Sequence, residues 1–160
     1  MVPIPAEWLW HDAASEAYVT ESGTGKCDPD TLPTRIPGLR AEYYNNWDFS
    51  GTPALQRADA QIRFNWIYSK PGEGVNADRF CVRWTGTLLP DRTFEGFLGL
   101  GSMDSMRLWV DGHLMVDGWN GRSASGMEPF HFERGKAVDL RIEFLNDQRG
   151  VKVVLGYSHG

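Results

Sequence analysis

Apolar and polar residues alternate along most of this chain, and this alternation constrains the fold more than any other feature. From Gly38 onward, apolar residues recur at every second position, the spacing of one face of a β-strand. The longest clean run contains Val138, Leu140, Ile142 and Phe144. About eight or nine such runs occur, and no segment has a helical period. The pattern predicts an all-β fold in which two antiparallel sheets form a sandwich or barrel around an aromatic core.

The tract Phe80–Gly112 shows how these runs are connected. Three alternating runs are separated by a Pro-Asp turn, the polar loop Gly101–Ser105 and the turn Asp111-Gly112. An Asp-Gly pair between alternating runs is a strong two-residue hairpin signal. The loop Gly101–Ser105 is longer and more polar than a connector requires. Loops of this kind often carry function on a rigid sheet.

Length and composition narrow the class of protein. The 160 residues fit one domain, 12% are aromatic, and 18 are glycine, as suits strands joined by tight turns. The net charge is −5 and no basic stripe occurs, so we expect neither a nucleic-acid nor an anionic-membrane partner. No segment approaches the ~20 apolar residues of a membrane-spanning helix.

The chain divides at about Pro37. Residues 1–36 are rich in proline and lack periodicity, so they are predicted to form an irregular N-terminal arm or a linker remnant, and residues 37–160 the β domain. Cys27 and Cys81 are 54 positions apart and have no metal-ligand spacing. Two separate thiols are expected, and a disulfide between them stays open because two cysteines alone do not determine pairing.

Catalytic motifs are absent from the sequence. It contains no Gly-x-Ser-x-Gly elbow, phosphate loop or His-Glu-x-x-His motif, and its four histidines are scattered. Three polar loops are better candidates for function: Gly101–Ser105, Asp117–Gly126 and Asn146–Gly150. In an up-down strand order they would share one rim. Their carboxylates, amides and tryptophan suit a sugar or calcium, although ordinary polar turns would look the same.

Three separated motifs resemble the anthrax-protective-antigen-type ("PA-fourteen") domain: Gly38–Tyr44 (GLRAEYY), Phe80–Leu88 (FCVRWTGTL) and Met106–Gly112 (MRLWVDG). The resemblance extends to about Tyr157. It implies a β-sandwich or barrel that serves mostly as a non-catalytic carbohydrate-recognition module in adhesins, toxins and glycosidases.

The runs Val2–Ala6, Gly38–Phe49 and Gly74–Arg79 look more specifically like the insert of family-three β-glucosidases. That resemblance implies an accessory module that helps to shape the leaving-group subsite of a larger, secreted or periplasmic enzyme. Its partners would be a gluco-oligosaccharide or other glycan and the catalytic domain. The Ser-Asp-Trp-like nucleophile motif of those hydrolases does not occur, so no catalytic residue is expected in this chain.

The metal-binding branch of the family has two adjacent aspartates before the strand matched by Met106–Val110, and an asparagine in a later loop. This chain has Met103-Asp104 and Asn146 at these places. Because one carboxylate is missing, a calcium site formed by Asp104 and Asn146 is disfavoured and no cofactor is expected.

These considerations predict a carbohydrate-binding site on the three loops. Trp119 would stack on a sugar face, and polar side chains would bond to hydroxyls. The alternative is a structural or protein-docking module with no sugar affinity, in which Trp119 anchors an interface. The predicted site residues are Met103, Asp104, Trp119, Asn120, Asn146 and Gln148.

Overall fold

A computed structural model of the chain describes residues 1–12, 35–66, 69–102, 104–119, 125–146 and 152–159. These residues contain one 3-10 turn, Ala6–Trp8, and no α-helix, so none of their helical segments could cross a membrane. The strands are β1 (Val2–Pro3), β2 (Leu9–Asp12), β3 (Arg35–Pro37), β4 (Leu39–Tyr44), β5 (Leu55–Asp59), β6 (Arg63–Asn65), β7 (Phe80–Leu88), β8 (Phe94–Ser102), β9 (Ser105–Val110), β10 (His113–Gly118), β11 (Ser125–Phe132), β12 (Val138–Asn146) and β13 (Lys152–His159).

The strands form two antiparallel sheets. The five-stranded sheet has the order β1-β13-β8-β11, and β6 pairs with β13 beyond β1. The eight-stranded sheet has the order β10-β9-β12-β7-β2-β3, and β4 and β5 continue it from the other half of β7. The predicted all-β antiparallel sandwich is confirmed. In the described residues the sheets do not close into a barrel, and thirteen strands are present rather than eight or nine.

The core lies between the sheets and follows the alternation seen in the sequence. Leu140, Ile142 and Phe144 are buried from one strand, and the large rings of Trp84 and Phe80 are fully buried from its neighbour. Burying side chains of this size is the main stabilising contribution to such a fold, at about 25 cal/mol for each Å² of apolar surface. The core is continuous from one end of the sandwich to the other.

The Asp111-Gly112 hairpin is formed as predicted. His113 pairs with Val110 across it, and the φ angles of Asp111 and Gly112 are 50° and 82°. Positive φ at both central residues defines the type I′ turn, whose twist matches that of the strands on either side. The turn is also tied to the next strand, because the backbone N–H of Asp139 donates to Asp111 Oδ1 over 2.8 Å.

The N-terminal residues are part of both sheets as far as the structure describes them. β1 pairs with β13, β2 pairs with β7, and Trp8 and Leu9 are buried in the core. Residues 13–34, including Cys27, lie outside the described part, so the division at Pro37 stays a prediction. Cys81 is a buried free thiol.

Candidate functional site

One end of the sandwich gathers the polar loops. There β4, β8, β10 and β12 end, and β7, β9 and β13 begin; Asn146 is paired with Phe80, and Leu145 with Ser105. The strands that border the three sequence-predicted loops therefore all reach the same end. We call this end the loop rim. Its described members are Asn45–Ser50, Asn76–Arg79, Asp104, Trp119 and Asn146.

Trp47 is the most prominent side chain of the loop rim. It is 42% exposed and is the one aromatic among the exposed large apolar side chains of the described residues. Its indole Nε1 donates a hydrogen bond of 2.8 Å to the backbone oxygen of Asn146. The guanidinium carbon of Arg79 lies 5.1 Å from the ring centroid, within the range of a cation–π contact. The ring is thus held in place while much of its surface stays open to solvent.

The loop that carries Trp47 is stiffened by its own side chains. Asn46 accepts a bond from the N–H of Asp48 and donates one to the oxygen of Ser50. Both the hydroxyl and the N–H of Ser50 donate to Asp48, and these bonds lower the pKa of the Asp48 carboxyl. A loop ordered in advance loses little conformational entropy when it binds a ligand.

Asn146, a predicted site residue, is buried and supports the rim from below. Its side-chain oxygen accepts the N–H of Arg79 over 3.3 Å, while its backbone oxygen accepts the indole of Trp47. Asn45 supports the rim in a similar way: its side-chain nitrogen donates to the backbone oxygen of Gly74, and its side-chain oxygen accepts the N–H of Asn76. These amides connect the loop after β4 to the loop before β7.

Asp104 is also buried, with only 1% of its surface exposed. Its N–H donates to the Ser102 hydroxyl over 2.9 Å, and that hydroxyl donates to the Asp104 backbone oxygen over 3.1 Å. These two bonds form a tight turn between β8 and β9. The burial of Asp104 and Asn146 indicates that both help to build the rim, whereas Trp47 presents a surface.

Trp119 lies at the other side of the rim, directly after β10. The backbone N–H of Trp119 donates to Asp117 Oδ1, and the guanidinium carbon of Arg107 lies 4.1 Å from the centroid of the Trp119 ring. Asp117 and Arg107 form an ion pair of 3.5 Å. One face of the half-buried Trp119 is therefore covered by protein. Trp47 is bonded to Asn146 at the end of β12, whereas Trp119 follows β10. Because β9 lies between these two strands, the strand ends are two strand spacings apart, roughly 10 Å.

The remaining predicted site residues, Met103, Asn120 and Gln148, lie outside the described residues, and their roles stay predictions. The donor set for a calcium ion is poor, because Asp104 contributes a single carboxylate and the described residues contain no group of three or more His, Cys, Asp or Glu arranged for a metal. Residues 147–150 also lie outside the described part, so the absence of a calcium site stays a prediction.

Sequence reasoning did not single out Trp47 and Arg79 as candidate site residues. The signal was available: an Asn-Asn-Trp-Asp run directly follows β4, and polar residues with an aromatic after a strand are typical of a binding loop. What the sequence did not provide was the contact with Asn146, which is 99 positions away.

Cys81 is beneath the rim and is chemically inert at neutral pH. It is fully buried, with its sulfur 3.8 Å from Asn46 Oδ1. Burial raises the pKa of this thiol to about 12, so it stays protonated and is a poor nucleophile.

Two curated proteins resemble this chain in sequence over about three quarters of its length. The chain is 37% identical over 122 residues to the anti-sigma-I factor RsgI3 of Acetivibrio thermocellus, a match that covers 76% of this chain and 19% of that protein. It is 30% identical over 120 residues to a β-glucosidase of Rhizobium radiobacter, covering 75% of this chain and 14% of the relative. The chain thus spans less than a fifth of the length of these curated relatives.

Solved structures agree with the fold. An anti-sigma factor domain-containing protein superimposes with a TM-score of 0.69 at 36% identity, covering 76% of this chain and 43% of that one. The β-glucosidase from Kluyveromyces marxianus in complex with glucose gives a TM-score of 0.68 and covers all of this chain and 18% of its own. At 17% identity, that second likeness shows the fold alone. The family model for the PA14 domain matches residues 36–159, so the chain belongs to the PA14 domain family.

Proposed function

We propose that this PA14 domain is a non-catalytic carbohydrate-binding module that holds neutral glycans at the loop rim, with Trp47 as the platform for a sugar ring. The observation that carries the proposal is the state of Trp47: it is 42% exposed, yet its indole N–H and one neighbouring cation fix its orientation. Tryptophan offers a large apolar surface at low entropic cost, which suits the C–H face of a sugar.

The polar groups around Trp47 would bond to sugar hydroxyls. Asn76 and Asp48 are exposed neighbours on the rim, and Trp119 would offer a second, partly covered ring at the other side. Asp104 and Asn146 are buried, so we propose that they mainly support the loops. Any contact that they make with a sugar would be at the floor of the rim. Each exposed hydrogen bond contributes about 0.5–1.5 kcal/mol after water is displaced, so an isolated sugar should bind weakly.

The relatives support a role that is independent of catalysis. Their names describe an anti-sigma factor and a β-glucosidase, two activities with no chemistry in common, and the matched region is a small part of each. A module shared by such different proteins more reasonably recognises a ligand than performs a reaction. In a glycosidase parent, the rim would lean over the active-site entrance and shape the leaving-group subsite.

Titration of the chain with cellobiose and longer gluco-oligosaccharides, followed by amide chemical shifts, tests the proposal. We expect millimolar or tighter binding, with the largest shifts at Trp47 and its neighbours, and loss of binding in Trp47→Ala. Trp10→Ala is the matched control, because Trp10 is half-buried at the opposite end of the sandwich. Absence of binding at millimolar sugar, or equal loss in both variants, would rule out the sugar site.

The alternative is a structural or docking module, and one observation favours it at Trp119. That ring is half-buried against Arg107 and is arranged like an interface anchor. Trp119→Ala in the intact parent protein separates the two roles. A changed preference for substrate length supports subsite shaping, whereas lower stability with unchanged preference supports docking.

A further inference from the structure

A groove on the outer face of the five-stranded sheet has a chemistry different from that of the loop rim. It has a volume of about 590 Å³ and lies over β6, β13 and β8. Small-molecule sites typically have volumes of about 300–1,000 Å³. Its described walls include Arg63 and Asn65 on one side and Lys152, Val154 and Gly101 on the other.

Strand register explains why these side chains converge. Asn65 is paired with Lys152, and Val154 is paired with Arg63 in one neighbouring strand and with Gly101 in the other. Directly opposed residues project to the same face of a sheet. Arg63 and Lys152 are diagonal neighbours on that face, roughly 7–8 Å apart at the backbone.

The two cations of the groove are exposed and uncompensated. Neither Arg63 nor Lys152 has a carboxylate at ion-pair distance within the part of the chain that the structure describes, although the chain as a whole carries a net charge of −5. Two neighbouring like charges repel each other, and an anion between them would relieve that repulsion. The local positive charge therefore points to an acidic ligand.

The shape of the groove depends on a missing side chain. A Cβ at Gly101 would lie 3.1 Å from Val154 Cγ1 and 3.6 Å from Met1 Cε, so any larger residue would crowd this wall. Glycine leaves a shallow apolar floor beside Val154. Such a floor can receive the C–H face of a ring while the cations meet its charged substituent.

We propose that this groove binds an acidic oligosaccharide, with the guanidinium of Arg63 paired to a uronate carboxylate and Lys152 supplying the second positive charge. The planar guanidinium donates two parallel hydrogen bonds to a carboxylate, a match that an ammonium group lacks. Lys152 begins β13 and Gly101 precedes the last residue of β8, so the groove opens beside the loop rim. The choice of a sugar over other carboxylates rests on the proposed function.

Calorimetric titration with trigalacturonate, and with cellotriose as a neutral ligand of equal length, tests the proposal on the whole chain. We expect trigalacturonate to bind and its affinity to fall at high salt, because the cations are exposed. Arg63→Gln should weaken binding about tenfold, as loss of a charge-assisted pair does, and Lys152→Gln about threefold. Val154→Tyr should block the groove without a change in charge.

Two controls separate the groove from general effects. Lys136→Gln removes one exposed positive charge from the turn between β11 and β12, at the opposite end of the sandwich, and should leave affinity unchanged. Trp47→Ala should abolish binding of cellotriose but leave that of trigalacturonate, so that failure of the groove and failure of the rim are distinguishable.

Three results would overturn the proposal. Trigalacturonate and cellotriose could bind equally well in Trp47→Ala, or Lys136→Gln could weaken binding as much as Arg63→Gln. Equal affinity for a hexaglutamate peptide or inorganic phosphate would identify a general anion site and reject the sugar. Retained thermal unfolding temperatures in the variants would confirm that each comparison is made on folded protein.

Discussion

The two sheets of this domain treat their positive charges differently. On the outer face of the eight-stranded sheet, Glu143 accepts from Arg83 Nε over 2.9 Å and from Arg141 Nη2 over 2.8 Å. Strand register continues this row with Asp117 and Arg107 on one side. The groove of the five-stranded sheet holds two cations, Arg63 and Lys152, that have no such partner among the described residues. Paired charges make a closed, structural surface, whereas unpaired ones leave a surface available to a ligand.

The eight-stranded sheet also pairs its charges on its inner side. Asp59 is buried and accepts from the Tyr43 hydroxyl at 2.6 Å, from Trp84 Nε1 at 2.9 Å and from Arg57 Nε at 2.7 Å. Burial, reinforced by the nearby carboxylate, raises the pKa of Tyr43, so its hydroxyl stays protonated and donates. One carboxylate thereby ties together three neighbouring strands, β4, β5 and β7.

The strongest test of this structural role is Asp59→Ala. It leaves the buried Tyr43 hydroxyl and Trp84 indole without their acceptor and removes the carboxylate that Arg57 Nε contacts, and we expect a loss of about 3 kcal/mol in the free energy of unfolding. Urea denaturation measures it. Asp91→Ala, which removes an exposed carboxylate paired with Arg92, should cost under about 0.5 kcal/mol. A loss below about 1 kcal/mol for Asp59→Ala would contradict the structural role.

On the outer face, Glu143→Gln should cost about 1.5 kcal/mol, because the amide keeps the shape but loses the charge that two arginines share. Glu42→Gln, at a half-buried residue of the same face whose partner Arg40 is 3.5 Å away, is the matched control and should cost under about 0.5 kcal/mol. If the two variants were equally stable in urea, the outer row would not be structural.

Measuring the free energy of unfolding as a function of pH tests whether the Cys81 thiol is shielded from solvent. The folded pKa of about 12 is above the ordinary thiol pKa of 9.0, so the unfolded state loses its proton first as pH rises. The contribution of the thiol to stability is therefore complete below pH 9 and is lost progressively towards pH 12. Between pH 9 and 10 we expect the wild type to lose about 1 kcal/mol more than Cys81→Ala. Parallel stability profiles would show that Cys81 is accessible.

The smallest effect is expected in the groove. Arg63→Gln and Lys152→Gln should each change the free energy of unfolding by less than about 0.5 kcal/mol, since neither charge has a carboxylate partner in the part of the chain that the structure describes. The same urea experiment applies. A loss above about 1 kcal/mol for either variant would mean that the cation is structural, and the contrast between the two sheets would then fail.

Local chemistry explains how much of the fold was predictable. The alternation of Val138–Phe144 and the Asp111-Gly112 turn depend on residues close together in the chain, and both are formed as predicted. The short strand β1 was missed, because two residues carry too little periodicity to be recognised. It is a strand only because β13 offers it a hydrogen-bonding edge.

The candidate site was less predictable, because it depends on burial and on contacts between residues far apart in the chain. The polar loops could be identified from composition, and their strand ends meet at one rim. Burial could not be inferred, so Asp104 and Asn146 appeared as exposed as Trp119. Trp47 was overlooked because its importance comes from a hydrogen bond to a residue 99 positions away.

The sequence by itself determined that this protein is an all-β sandwich of the PA14 family, because strand period, turn chemistry and family motifs are all local. Only the tertiary structure decided which polar groups support the fold and which face solvent. Whether a charge is paired depends on strand register, which places Glu143 between Arg107 and Arg83 but gives Arg63 and Lys152 no carboxylate among the described residues. Register arises from the packing of the whole sandwich, and no single segment encodes it.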